Sequence, residues 1–180
     1  PSDFLQNLEL FKQIYKPTEK ESLAFVELAS HFENRNGKYK TLVHGDFWHG
    51  NIIRGSLHNT LIFVDWQPSR WSQDVSTDVY LFLMAGALAT AHGSPEERAH
   101  STVKVLMEWR QNILPAYLAA YGNVDRYSLL PARLGMLVCC VEKAVRSIRD
   151  FGYNQFDDLI WRNLLTELVN IPDDGFFDGI

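Results

Sequence analysis

The chain has 180 residues, with 17 Lys and Arg against 22 Asp and Glu, a formal net charge of −5, and 46% hydrophobic residues. That length fits one domain, or one and part of a second, with enough apolar side chains for a sizeable core; the composition excludes disordered, collagen-like and mucin-like chains. A net acidic chain is poorly suited to nucleic acid, whose binding is driven by phosphate neutralisation, or to anionic membrane surfaces.

Apolar residues at helical spacing predict a helix from Phe4 to Tyr15, stopped by Pro17. Thr18 and Glu21 form a capping-box pattern that opens a second helix to about Phe32. Asn34-Arg35-Asn36-Gly37 reads as a turn, and Thr41-Leu42-Val43 as a short strand or loop entry. Two β segments, Asn51 to Arg54 and Thr60 to Asp65, joined by Gly55 to Asn59, predict a hairpin. The chain is then expected to be irregular through Gln73. Asp74 or Ser76 caps an apolar helix to about Ala91, and cap is the preferred reading of Asp74.

Ser94-Pro95-Glu96-Glu97 opens a helix predicted to reach Tyr121 and end at Gly122, with a kink or interruption at Pro115. Two further helices are expected, over about Tyr127 to Asp150, with Pro131 near its start, and over Gln155 to Asn170. The fold class is therefore mainly α with a short β hairpin. Residues 1–40 form leading helices, 41–73 the loop and hairpin, and 74–180 a helical subdomain.

Cys139 and Cys140 are adjacent, so they read as two buried thiols on a helix, which favours a reducing, cytoplasmic setting. The longest apolar run, Val79 to Ala91, is too short for a bilayer, and Pro1-Ser2-Asp3 lacks the basic region of a signal peptide. A chain without an initial Met is expected to be processed or cut from a larger one.

The chemistry concentrates in His44-Gly45-Asp46, Asn51 and Asp65. A hairpin brings the start of its first strand beside the end of its second, so Asn51 and Asp65 are expected side by side, with Asp46 close by on the loop. Two carboxylates and an amide oxygen make a hard, oxygen-rich site of the kind magnesium prefers. An Asp, an Asn five residues on, and a second Asp after a hairpin is also the order that phosphoryl transfer uses for a base and two metal ligands.

His44-Gly45-Asp46 with Asn51, followed by Asp65-Trp66-Gln67, resembles the aminoglycoside phosphotransferase and choline-kinase-like superfamily, small-molecule kinases with a protein-kinase-like fold. Val64-Asp65-Trp66-Gln67 and Asp78-Val79-Tyr80-Leu81-Phe82-Leu83 are similar to its ecdysteroid-kinase-like branch. The resemblance covers Leu42 to Leu83. It implies Asp46 as catalytic base, Asn51 and Asp65 as magnesium ligands, and Ile53 in the apolar floor beneath adenine. It further implies Asp78 as the carboxylate that holds the catalytic loop, with ATP as co-substrate and a small-molecule hydroxyl as acceptor. His44 is read as a loop-bracing hydrogen-bonder.

No Gly-rich phosphate loop and no Val-Ala-x-Lys strand precede His44. The chain is thus expected to be a kinase-like C-terminal lobe whose N-terminal β lobe is missing, with weak or no turnover alone.

Other readings attach to the same residues. A non-catalytic, pseudokinase-like binding or scaffold module is the alternative function, and a metal hydrolase on His44, Asp46 and Asp65 a third. Zinc on His44, Asp46 and His49 lacks support from the spacing of His31, His58, His92 and His100. Trp48 and His49 face ligand or solvent. Trp66, Trp71, Trp109 and Trp161 read as core or scaffold. Asp150, Asp157 and Asp158 are expected on a solvated helix surface rather than around a cationic substrate.

Overall fold

The computed structural model describes residues 3–34, 41–55, 60–66, 69–72, 76–109, 112–120 and 130–171. Among these, α1 (Asp3–Tyr15) and α2 (Glu19–Asn34) come first, followed by β1 (Thr41–Val43), a 3-10 turn (His49–Asn51), β2 (Ile52–Arg54), β3 (Leu61–Phe63) and β4 (Arg70–Ser72). Five helices complete the order: α3 (Ser76–Ala89), α4 (Pro95–Trp109), α5 (Ile113–Ala120), α6 (Ala132–Phe151) and α7 (Phe156–Asn170). The protein is mainly α with short antiparallel β pairs, as its composition and periodicity imply. No described helix is long and apolar enough to cross a membrane.

Local chemistry sets several helix boundaries. The Thr18 N–H donates to Glu21 (2.8 Å) and the Glu21 N–H to the Thr18 hydroxyl (3.3 Å), closing the capping box that opens α2. Ser94 and Glu97 make the same reciprocal pair ahead of α4, at 2.8 and 3.3 Å. The helix expected from Ser94 to Tyr121, with a kink or interruption at Pro115, is two helices: α4 ends at Trp109, and Pro115 sits in the first turn of α5. There its missing N–H removes no intrahelical bond. Pro131 directly precedes α6 rather than lying inside it. Gln67, Asp74 and the ends expected at Tyr121, Gly122 and Tyr127 lie outside the described residues.

Helix α6 is the centre of the helical body. Its Leu134, Met136, Leu137, Val138, Val141 and Val145 are buried, as are Cys139 and Cys140, both free thiols. It packs against α1, α3 and α7, and α7 packs in turn against α4 and α2. A Cβ at Gly135 would enter the Tyr80 ring, so this glycine is what lets α6 approach α3 closely.

Two polar contacts fasten the ends of the bundle. The Arg162 guanidinium holds the Glu21 carboxylate at 2.5 and 3.0 Å, and Glu21 is only 1% exposed. The Tyr15 hydroxyl donates to Asp158 at 2.5 Å. Asp158 is 0% exposed, which corrects its reading as part of a solvated acidic surface. The helical phase of α7 turns it inward toward α1, whereas its neighbour Asp157 faces solvent. Trp109 and Trp161 pack on the core, and Trp66, 45% exposed, serves as partly buried scaffold by donating its Nε1–H to the Phe63 carbonyl at 2.9 Å.

The sheets are small. Strands β2 and β3 form the expected hairpin, Ile52 opposite Phe63 and Ile53 opposite Ile62, but β3 ends at Phe63, two residues short of Asp65. Strand β4 was not expected. It pairs with β1, Val43 opposite Arg70, within a stretch read as irregular. Three residues carry too little pattern to announce a strand; a distant partner defines it.

Burial alone would raise the Glu21 pKa, but Arg162, the Thr18 N–H and the Thr166 hydroxyl together hold it below its ordinary value. A depressed carboxylate pKa stabilises the fold above the unfolded glutamate pKa, and that contribution is lost as pH falls through the folded value. Glu21→Gln is therefore expected to cost about 3–5 kcal/mol at neutral pH, because it leaves Arg162 unpaired. Urea denaturation across pH 3–7 checks this: the gap between wild type and variant narrows toward acid pH.

Candidate active site

The site is built around the loop that follows β1. Asp78 lies in the first turn of α3, and its carboxylate accepts the backbone N–H groups of His44 at 2.5 Å and Gly45 at 2.9 Å. Gly45 has φ of 78°, a left-handed conformation that glycine adopts without steric cost and that helps aim both N–H groups at one carboxylate. Burial pushes the Asp78 carboxyl above its ordinary pKa; the two N–H donors, His44 and Arg70 oppose that push without cancelling it.

His44 is buried, and its Nε2 lies 2.8 Å from the Val64 carbonyl oxygen. A carbonyl only accepts, so Nε2 carries the proton, and Nδ1 is left buried without a hydrogen bond among the described residues. The imidazole thus ties the loop to the residue just before Asp65. Phe47 adds an apolar clasp, its ring 5.4 Å from those of both Phe63 on β3 and Phe82 on α3. The Trp66 ring covers His44 at 4.6 Å.

Asn51 closes the 3-10 turn and is buried. Its Nδ2 donates to the Asp46 carbonyl at 2.9 Å and reaches Asp46 Oδ2 at 3.5 Å. Its own carbonyl accepts the Val64 N–H at 3.0 Å, extending the hairpin register toward Asp65. The structure therefore brings Asp46, Asn51 and the Val64–Asp65 segment to one mouth of the hairpin. Asp65 is exposed, has φ of 59°, and makes no hydrogen bond or ion pair among the described residues. A left-handed backbone at a non-glycine residue is a local strain of the kind concentrated at functional sites. No three His, Cys, Asp or Glu side chains that could hold a metal ion converge among the described residues.

Asp46 is not alone. The Lys143 ammonium on α6 forms an ion pair with its Oδ1, and Arg146 lies 3.8 Å from the same oxygen. Lys143 is 15% exposed. Arg70 on β4 grips Glu142 with two hydrogen bonds of 2.7 and 2.8 Å, which fixes α6 against the sheet and places the next residue, Lys143, at the loop. Sequence reasoning identified none of Phe47, Arg70, Lys143 and Arg146. The only signal was the three-residue spacing of Lys143 and Arg146, which marks a shared helix face but names no partner.

Asp46 opens into a hollow of about 630 Å³ walled by Leu81, Ala85 and Leu88 of α3 and by Trp161 of α7. Trp48, His49, Asp150 and Asp157 also line it, so the loop residues left open between ligand and solvent face this hollow. Ile53, 50% exposed, lies on the hairpin opposite Ile62, with exposed Leu61 and Phe63 on the same strand pair.

The carboxylate-anchored loop thus lies beside a hairpin with Asn51 just before its first strand and Asp65 just beyond its second. Residues 3–91 match the ecdysteroid kinase-like family, which bears out the resemblance read from the motif. No curated protein and no solved structure matches the chain. The matched stretch runs from α1 through α3 and contains both β pairs; Lys143 and Arg146 lie outside it.

Asp78→Ala strips the acceptor from two N–H groups, at roughly 1–3 kcal/mol for each buried donor left unsatisfied. Hydrogen exchange is expected to accelerate at His44 and Gly45 far more than in α6. Unchanged exchange at both amides would show that the loop is held by other contacts.

Proposed function

We propose that the chain carries the catalytic centre of an ATP- and magnesium-dependent phosphotransferase acting on a hydroxyl of a small molecule. The observation that carries this reading is the loop tied down by Asp78, on which Asn51 holds the Asp46 carbonyl and accepts the Val64 N–H, one residue before Asp65. The kinase-like family match supports it.

The residues present suit magnesium. With its Nδ2 committed to Asp46, the Asn51 amide has Oδ1 left to offer, and the Asp65 carboxylate is free among the described residues. These two side chains would hold the ion together with nucleotide phosphates, and the ion would supply positive charge for the transferring phosphoryl oxygens. Ile53 and its exposed apolar neighbours offer a floor for a purine ring. A cytoplasmic setting belongs to the same proposal, supported by the two buried free thiols.

In this reading Asp46 orients the acceptor hydroxyl and takes its proton. The hydroxyl oxygen bonds to the γ-phosphorus as the bond between that phosphorus and the leaving ADP oxygen breaks. Asn51 keeps Asp46 in place through its backbone carbonyl. The acceptor hydroxyl has to share the Asp46 carboxylate with Lys143, which already occupies Oδ1. That same ion pair is the observation that favours a non-catalytic, nucleotide-binding module as the second reading.

Two variants test the roles. ATP consumption is measured with a panel of hydroxylated compounds, for this chain and for the full reading frame that contains it. Asp46→Ala is expected to lower turnover by about 10²–10⁴-fold while nucleotide binding persists. Asp65→Ala is expected to lose the magnesium-dependent part of nucleotide affinity. Near-normal turnover in Asp46→Ala would remove it from the role of base. Tight nucleotide binding with no transfer to any acceptor would favour the binding module.

A further inference from the structure

Lys143 and Arg146 have two sides. One faces the hollow that holds Asp46. The other faces a second hollow of about 350 Å³ beside Gly45, walled by Thr77 and by four cations, Arg70, Lys143, Arg146 and Arg149. Glu142 is the one carboxylate in that wall among the described residues, leaving a formal surplus of three positive charges in a chain whose net charge is −5.

Carboxylates beside the wall offset part of this surplus and leave Arg149 unpaired among the described residues. Glu142 is taken up by Arg70. Lys143 and Arg146 share the single Asp46 carboxylate, and Arg146 also reaches Asp150 at 3.6 Å. Arg149 has no ion pair or hydrogen bond among the described residues. Lys143, Arg146 and Arg149 follow at three-residue intervals on α6, so like charges crowd one helix face, an arrangement that weakens a helix unless an anion faces it. Glu142 and the buried α6 core hold these cations on a fixed element.

We propose that this second hollow is an anion-binding subsite, and that the substrate carries a carboxylate, sulfate or phosphate group seated in it. The hydroxyl of that substrate meets Asp46, and its apolar body lies on the Leu81, Ala85 and Leu88 wall; this part rests on the phosphotransferase reading above. An anionic group of the substrate fits better than a nucleotide phosphate, because neither Asn51 nor Asp65 lines this hollow.

The test is an NMR titration of the chain with inorganic phosphate, and separately with sulfate and acetate, at constant ionic strength, following the arginine Nε–H signals. Saturable shifts of Arg146 and Arg149 are expected. Arg149→Glu, an exposed position, should weaken binding by about tenfold or more, and Asp46→Asn should strengthen it by freeing Lys143. Shifts that never saturate, or equal affinity in Arg149→Glu, would overturn the subsite. A second titration is made with magnesium and a non-hydrolysable ATP analogue at saturation. Retained phosphate binding supports a substrate subsite; displacement assigns the cations to the nucleotide and overturns that assignment. Neither titration depends on turnover, so failure of the phosphotransferase reading, seen as an active Asp46→Ala, is distinct from failure of the subsite.

Discussion

The rest of the site depends on one carboxylate. Asp78, anchored in the first turn of α3, takes the N–H groups of His44 and Gly45 and so fixes where the chain leaves β1. Everything with candidate chemistry is referred to that point. Asp46 follows it by one residue, Asn51 is tied back to the Asp46 carbonyl, and His44 reaches across to Val64 and holds the segment that ends in Asp65. A charge-assisted pair of backbone hydrogen bonds is strong enough for this task, and the partial burial of Asp78 strengthens it while raising its pKa. The left-handed Gly45 is the backbone condition for the geometry.

Helix α6 supplies the second constraint. It is the most buried helix, and the close approach at Gly135 sets its distance from α3. With that position fixed, the Arg70–Glu142 pair brings its polar face to the loop, so Lys143 and Arg146 meet Asp46. The core packing and the electrostatics of the site are thus one arrangement: displacing α6 would separate the cations from the carboxylate. It also explains how an acidic chain concentrates positive charge in one place.

The legible parts of the structure were those written in local sequence. Both capping boxes, the hairpin, the buried cysteines and the proximity of Asp46 to Asn51 follow from spacings of a few residues. What escaped was set by distance in the chain. Lys143 meets a partner 97 residues away, and Tyr15 meets Asp158 across 143. Helical periodicity says which residues share a face but not what that face meets, so it names no partner for Lys143 or Arg146 and leaves Asp158 on a solvated surface. Strand β4 escaped for the same reason, being defined by β1 rather than by its own residues. Asp65 was placed at the end of a strand, whereas it lies beyond β3 in a left-handed conformation that no strand pattern foretells.

The central claim is that Asn51 and Asp65 form a metal and nucleotide site beside Asp46. Manganese in place of magnesium makes this directly visible, since it broadens NMR signals of nearby groups. The account predicts that, with a non-hydrolysable ATP analogue present, manganese broadens the Asn51 side-chain amide and the Asp65 backbone amide first, and that Asp65→Ala abolishes the effect. Broadening centred on Asp150 and Asp157 instead, or none at Asn51 with nucleotide bound, would contradict it.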